Sequence, residues 1–128
     1  MSAKRALIVD DNALIRDIID RTLKARGFDT VQAENAIAGW KSIDNPMPEL
    51  AVIDVMLPGE MDGVGLCKLM RNDPRCKDMV IVMITASDKK READRSIAAG
   101  ADILIGKPFS PKQFWNQVDS LIKDRRVQ

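Results

Sequence analysis

Four short, unbroken apolar runs constrain this chain more than any other feature: Ala6 to Val9, Leu50 to Ile53, Val80 to Ile84 and Ile103 to Ile105. A strand with one wet face alternates apolar and polar residues, whereas a continuous run suits a strand of a parallel sheet covered on both faces. A weaker fifth segment, Asp29 to Ala33, reads as an edge strand. Between the runs the apolar period becomes helical. Leu14, Ile15, Ile18, Ile19, Thr22 and Leu23 form one face of a first helix, Arg16, Asp17, Asp20, Arg21 and Lys24 the other, and Gly27 follows as a stop. Asn35 can cap a second helix through Ile43, ended by the Pro46 and Pro48 turn, and Asp62 a third to about Arg71. Ser87 to Ala99 gives a charged fourth helix closed by Gly100. Ser110 and Gln113, around Pro111, form a capping box that opens a fifth, with Phe114, Val118, Leu121 and Ile122 on one face.

Strands alternating with helices at these lengths predict an α/β fold with right-handed crossovers. The expected architecture is flavodoxin-like and doubly wound: a five-stranded parallel sheet, order 2-1-3-4-5, with five helices. Residues 1–128 read as one domain, with no repeat, no linker and no room for an output domain.

Composition removes several classes of function. Twenty Lys and Arg against nineteen Asp and Glu leave a net charge of +1, so no global field recruits nucleic acid or an anionic membrane. The N-terminus fits neither a signal peptide nor a spanning helix, and a soluble cytoplasmic protein is expected. Cys67 and Cys76 lack CxxC spacing, and with no histidine in the chain a structural zinc site loses its usual co-ligand; both read as reduced packing residues. The absence of histidine also excludes Ser-His-Asp and Cys-His nucleophiles, and excludes the chain as a phosphohistidine donor. Any phosphate chemistry falls to carboxylates.

In an open α/β sheet, ligands bind beyond the carboxyl ends of the strands, so the residues that follow each apolar run carry the information. These are Asp10 and Asp11 after strand one, Asp54 after strand three, Thr85 after strand four, and Gly106, Lys107 and Pro108 after strand five. Each alone has a bland reading: Asp10, Asp11 and Asn12 as caps of the first helix, Asp54 and Thr85 as caps of turns, Lys107 as a surface lysine. Independent caps have no reason to fall on the four strands whose ends adjoin in the expected order. Three carboxylates in one crevice repel one another unless a cation is present, and a hard, oxygen-seeking Mg²⁺ suits them. Asp54 can then act as a nucleophile that forms an acyl phosphate, with Lys107 and the metal supplying charge.

At these residues the sequence resembles the response regulator receiver family, including its single-domain chemotaxis regulators. The resemblance rests on LIVDDN (Leu7 to Asn12), AVIDVMLPG (Ala51 to Gly59), MDG (Met61 to Gly63), MITAS (Met83 to Ser87), GAD (Gly100 to Asp102) and GKPF (Gly106 to Phe109). It implies Asp54 as phosphoacceptor, Asp10 and Asp11 as the acidic metal pocket, and the Met56 carbonyl as a further metal ligand. It implies Thr85 as the switch hydroxyl, Lys107 as the partner of the phosphoryl group, and a cis peptide before Pro108. The implied phosphodonor is a sensor histidine kinase or histidine phosphotransfer protein. An unidentified downstream protein would read the surface of helix four, strand five and helix five. Direct nucleic-acid or membrane binding is not expected, and the expected state is a monomer or weak dimer. The chain departs from the family in two places. Leu104 stands where an aromatic switch residue is usual, and Glu60 is an extra residue between LPG and MDG.

Other readings stay open on the residues alone. A haloacid-dehalogenase-type phosphatase also uses a nucleophilic aspartate with Mg²⁺, but needs a second aspartate where this chain has Met56. A flavodoxin-type carrier needs a phosphate cradle where Asp10 and Asp11 stand. A receiver-shaped interaction module that takes no phosphate is the third. Lys89, Lys90, Arg91, Glu92, Asp94 and Arg95 on helix four read as a solvated face, and Met47, Met56, Met61, Met70, Met79 and Met83 as core and loop packing.

Overall fold

The computed structural model describes residues 4–43, 47–86 and 89–127. Its strands are β1 (Lys4–Val9), β2 (Phe28–Ala33), β3 (Leu50–Asp54), β4 (Val80–Thr85) and β5 (Ile103–Gly106). The helices are α1 (Ala13–Lys24), α2 (Ala36–Lys41), α3 (Gly63–Arg71), α4 (Lys89–Ala98) and α5 (Pro111–Val127). All four strand pairings are parallel, in the order β2-β1-β3-β4-β5, as the apolar runs imply. A 3-10 turn, Pro74–Cys76, was not anticipated from the sequence.

Helix starts follow the cap chemistry. The side-chain oxygen of Asn12 accepts from the Leu14 and Ile15 amides, that of Asn35 from Ala38, and that of Asp62 from Gly65. The Ser110–Gln113 box closes reciprocally at 3.2 and 3.0 Å. Ser87, expected at the start of α4, and Pro46, expected after α2, lie outside the described residues.

Strand residues alternate between two cores. Leu7, Val9, Ala51, Ile53, Ile81, Met83 and Leu104 face α2, α3 and α4, where Leu66, Cys67 and Met70 are buried. Ala6, Ile8, Leu50, Val52, Val82, Ile84 and Ile105 face α1 and α5, where Ile19, Leu23, Phe114 and Val118 are buried. Each fully buried side chain of this size contributes about 1.5–3 kcal/mol. Both cysteines are free and buried; burial pushes the Cys67 thiol up to about 11.

Four side chains depart from the periodicity. Leu14, assigned to the inner face of α1, is 68% exposed at the helix start, and Met56 is 61% exposed on its loop. Asp20, assigned to the outer face of α1, is buried against β2, where Thr30 donates to it and Lys24 pairs with it at 3.1 Å. Burial opposes its charge, but these partners outweigh it and hold the Asp20 carboxyl below its ordinary value. Glu92 is buried too, not solvated: Arg95 binds it at 2.8 Å and also reaches Asp62, the α3 cap, at 3.3 Å.

Candidate functional site

The register aligns the strand ends that carry polar residues. Val9 pairs with Ile53, Asp54 with Ile84, and Thr85 with Gly106, so the carboxyl ends of β1, β3, β4 and β5 lie side by side. There Asp10, Asp11 and Asp54 each present a carboxylate oxygen within 4.8 Å of the others. Asp10 and Asp54 are buried and Asp11 is exposed, so the cluster opens to solvent on the α1 side.

Lys107 holds the cluster together, with its Nζ 3.0 Å from Asp10 Oδ2 and 3.1 Å from Asp54 Oδ2. Its backbone N–H donates to the Thr85 carbonyl at 2.7 Å, which ties the end of β5 to β4, and the Lys107–Pro108 peptide is cis. The Met56 N–H donates to Asp54 Oδ1 at 3.2 Å, and the Asn12 N–H to Asp10 Oδ1 at 2.9 Å. Thr85 is fully buried at the end of β4.

Burial first, and the Asp10 charge second, push the Asp54 carboxyl above its ordinary value; the Met56 amide and Lys107 oppose the shift without cancelling it. Burial works against the Lys107 charge, but Asp10 and Asp54 outweigh it and raise that ammonium. One cation therefore serves two buried carboxylates. The Asp10 Oδ2 contact with Lys107 is an ion pair without hydrogen-bond alignment, so this fully enclosed oxygen keeps unused acceptor capacity. An all-oxygen donor set with surplus negative charge fits a hard divalent cation.

The backbone behind Asp54 is equally constrained. The Gly63 N–H donates to the Val55 carbonyl at 3.0 Å, and a Cβ at position 63 would stand 1.8 Å from the Asp54 carbonyl oxygen. Only glycine lets α3 start against the strand that carries Asp54. Glu60 is exposed in this loop, and Leu104, three positions before Lys107, is buried at 5% exposure. One residue that sequence reasoning placed on the solvent face of α1 also reaches this edge. Arg16 is half-buried, and its Nη1 donates to the Asp10 carbonyl oxygen at 2.6 Å. A partner that is a main-chain carbonyl leaves no signature in side-chain periodicity.

The family model of the response regulator receiver domain matches residues 6–119. Among curated relatives, the phosphate regulon transcriptional regulatory protein PhoB of Escherichia coli (strain K12) is 33% identical over 121 residues, 94% of this chain and 52% of that protein. The transcriptional regulatory protein GltR of Pseudomonas aeruginosa is 36% identical over 129 residues, 99% of this chain and 51% of that protein. The chain thus spans about half the length of the curated relatives it matches. A CheY-like response regulator receiver domain protein from Methanospirillum hungatei JF-1 superposes with a TM-score of 0.89 at 29% identity, covering 98% of both chains.

Proposed function

Because the chain belongs to the response regulator receiver family, we propose that Asp54 is its phosphoacceptor and that Asp10, Asp11, Asp54 and the Met56 carbonyl hold Mg²⁺ beside it. Receiver domains are signalling modules of two-component systems rather than enzymes in the usual sense. The observation that carries the assignment is the cluster of three carboxylates, of which Asp10 and Asp54 share the single ammonium of Lys107 among the described residues.

The Asp54 carboxylate attacks the phosphorus of a phosphohistidine on a sensor kinase or histidine phosphotransfer protein. An oxygen–phosphorus bond forms as the nitrogen–phosphorus bond breaks, and the imidazole nitrogen leaves with the electron pair. Bound Mg²⁺ supplies positive charge against the phosphoryl oxygens and relieves the repulsion among the carboxylates. Lys107, which now spans Asp10 and Asp54, is placed to pair with the new phosphoryl group. The buried Thr85 hydroxyl is the switch group, and the surface of α4, β5 and α5 passes the change to a downstream protein. Leu104 offers no hydroxyl to exchange partners in that switch. The whole chain is read as one receiver domain without direct contact to nucleic acid, working in the cytoplasm. Among the described residues no helix is long and apolar enough to cross a membrane.

Incubation with Mg²⁺ and acetyl phosphate, followed by intact-mass measurement, tests the acceptor. The wild-type protein gains one phosphoryl group and Asp54→Asn gains none. Equal labelling of the two proteins rules out Asp54.

A further inference from the structure

Asp10 and Asp11 lie on a three-residue turn between β1 and α1, and the bonds that fix this turn come from few places. Within the turn, the Asn12 N–H donates to Asp10 Oδ1 at 2.9 Å, and Asn12 Oδ1 accepts from Leu14 and Ile15 at 3.0 and 3.2 Å. From outside, the Asp10 N–H donates to the Ala33 carbonyl on β2 at 3.1 Å, and Lys107 pairs with the Asp10 side chain at 3.0 Å. The remaining main-chain group of Asp10, its carbonyl oxygen, lies beyond the last paired residues of the sheet, Val9 with Ala33 and Ile53. Arg16 takes this oxygen at 2.6 Å, and its Nε donates to Gln32 Oε1 on the edge strand at 3.1 Å. The guanidinium is thus anchored at two points of a rigid fork.

We infer that Arg16 is a positioning residue for the acidic pocket: by holding the Asp10 carbonyl it fixes the Asp10–Asn12 turn in the shape that presents both carboxylates to a divalent cation. This rests on the Mg²⁺ reading above. Its consequence runs against simple charge. Arg16 places a cation beside a cluster that binds a cation, so by Coulomb's law its removal should tighten Mg²⁺ binding. If its role is to hold the turn, removal loosens binding instead, because groups that orient metal ligands contribute strongly to affinity.

The experiment combines hydrogen exchange and NMR of the metal-free protein with Mg²⁺ titrations, comparing the wild type, Arg16→Ala, Arg16→Lys and Gln32→Ala. Expected for Arg16→Ala are faster exchange of the Asn12 amide before any metal is added and Mg²⁺ affinity about tenfold weaker. Arg16→Lys, which keeps the charge and one donor, recovers part of the loss. Gln32→Ala, at an exposed position that leaves the core intact, weakens binding less and in the same direction. Unchanged or tighter Mg²⁺ binding in Arg16→Ala overturns the inference, as does an unaltered Asn12 exchange rate. A wild-type protein that binds no Mg²⁺ overturns the metal reading instead, and the metal-free exchange rates still decide what Arg16 does to the turn.

Discussion

The two ends of the sheet handle charge in opposite ways. At the carboxyl ends of the strands, the buried Asp10 and Asp54 share Lys107, the exposed Asp11 stands beside them, and a buried oxygen of Asp10 has no aligned partner. At the amino ends, Arg71 from the last turn of α3 donates to the carbonyls of Gly100 at 2.8 Å, Cys76 at 3.2 Å, Lys77 at 3.3 Å and Met79 at 2.9 Å. Its Nη2 pairs with Asp102 at 3.0 Å, and the same Asp102 oxygen accepts from the Ile81 N–H at 2.8 Å. One arginine thus joins α3, the 3-10 turn, β4 and the turn before β5. Gly100 completes this end: its φ of +108° suits glycine, and a Cβ there would meet the Arg71 side chain at 2.4 Å. The amino end pairs Arg71 with Asp102, and among the described residues the carboxyl end clusters three carboxylates around one lysine, an excess of negative charge that a bound cation would relieve.

That contrast can be broken most directly at Arg71. Arg71→Ala removes this ion pair from the half-buried Asp102 and takes the donor from four carbonyls, for an expected loss of about 3 kcal/mol in urea unfolding. A loss below about 1 kcal/mol would make the amino end no better built than an exposed ion pair. Asp54→Asn should act the other way in metal-free protein. Removing one of the crowded carboxylates stabilises the fold by about 1 kcal/mol, as happens where a site is tuned for function rather than stability. Destabilisation by this variant would show that Lys107 already satisfies the cluster.

The smallest effect sharpens the same point through pH. The folded Asp54 carboxyl has its pKa above the ordinary 3.8, so between those two values the folded state holds more proton than the unfolded chain. Wild-type stability in this window gains as pH falls, a gain that Asp54→Asn lacks. The advantage of the variant at neutral pH therefore shrinks as pH is lowered toward 3.8. Asp20 carries the opposite sign in both proteins: its depressed pKa contributes stability above 3.8 that is lost as pH falls through the folded value. Comparing the two proteins cancels it. Lys107, raised above 10.5, stays charged throughout. Parallel stability curves for the two proteins from neutral pH down to 3.8 would contradict the assigned direction.

Much of this was legible in the sequence because the informative boundaries are sharp. Apolar runs end abruptly at Asp10, Asp54 and Thr85, and caps such as Asn12, Asn35 and Asp62 announce helix starts by short-range bonds within a few residues. What was not legible depends on partners distant in sequence. Periodicity assigns any charge to water, yet Glu92 is buried because Arg95 covers it, and Asp20 because Thr30 and Lys24 do. Arg16 and Arg71 bind main-chain carbonyls, which every residue owns and no composition marks. Leu14 breaks the pattern by standing in the first turn of α1, whose buried residues Ile19, Asp20 and Leu23 lie farther along the helix.

The close approach at Gly63 has a mechanical meaning. With the first residue of α3 pressed against the Asp54 carbonyl and bonded to Val55, the end of β3 and the start of α3 are held as one unit, a fulcrum rather than a lever. Any displacement set off at Asp54 has to be taken up elsewhere. Beside α3 packs α4, whose buried residues include the polar Glu92 and Ser96 where α3 buries Leu66 and Met70. The Arg95 link from Glu92 to Asp62 ties α4 to the cap of α3, at the foot of that fulcrum.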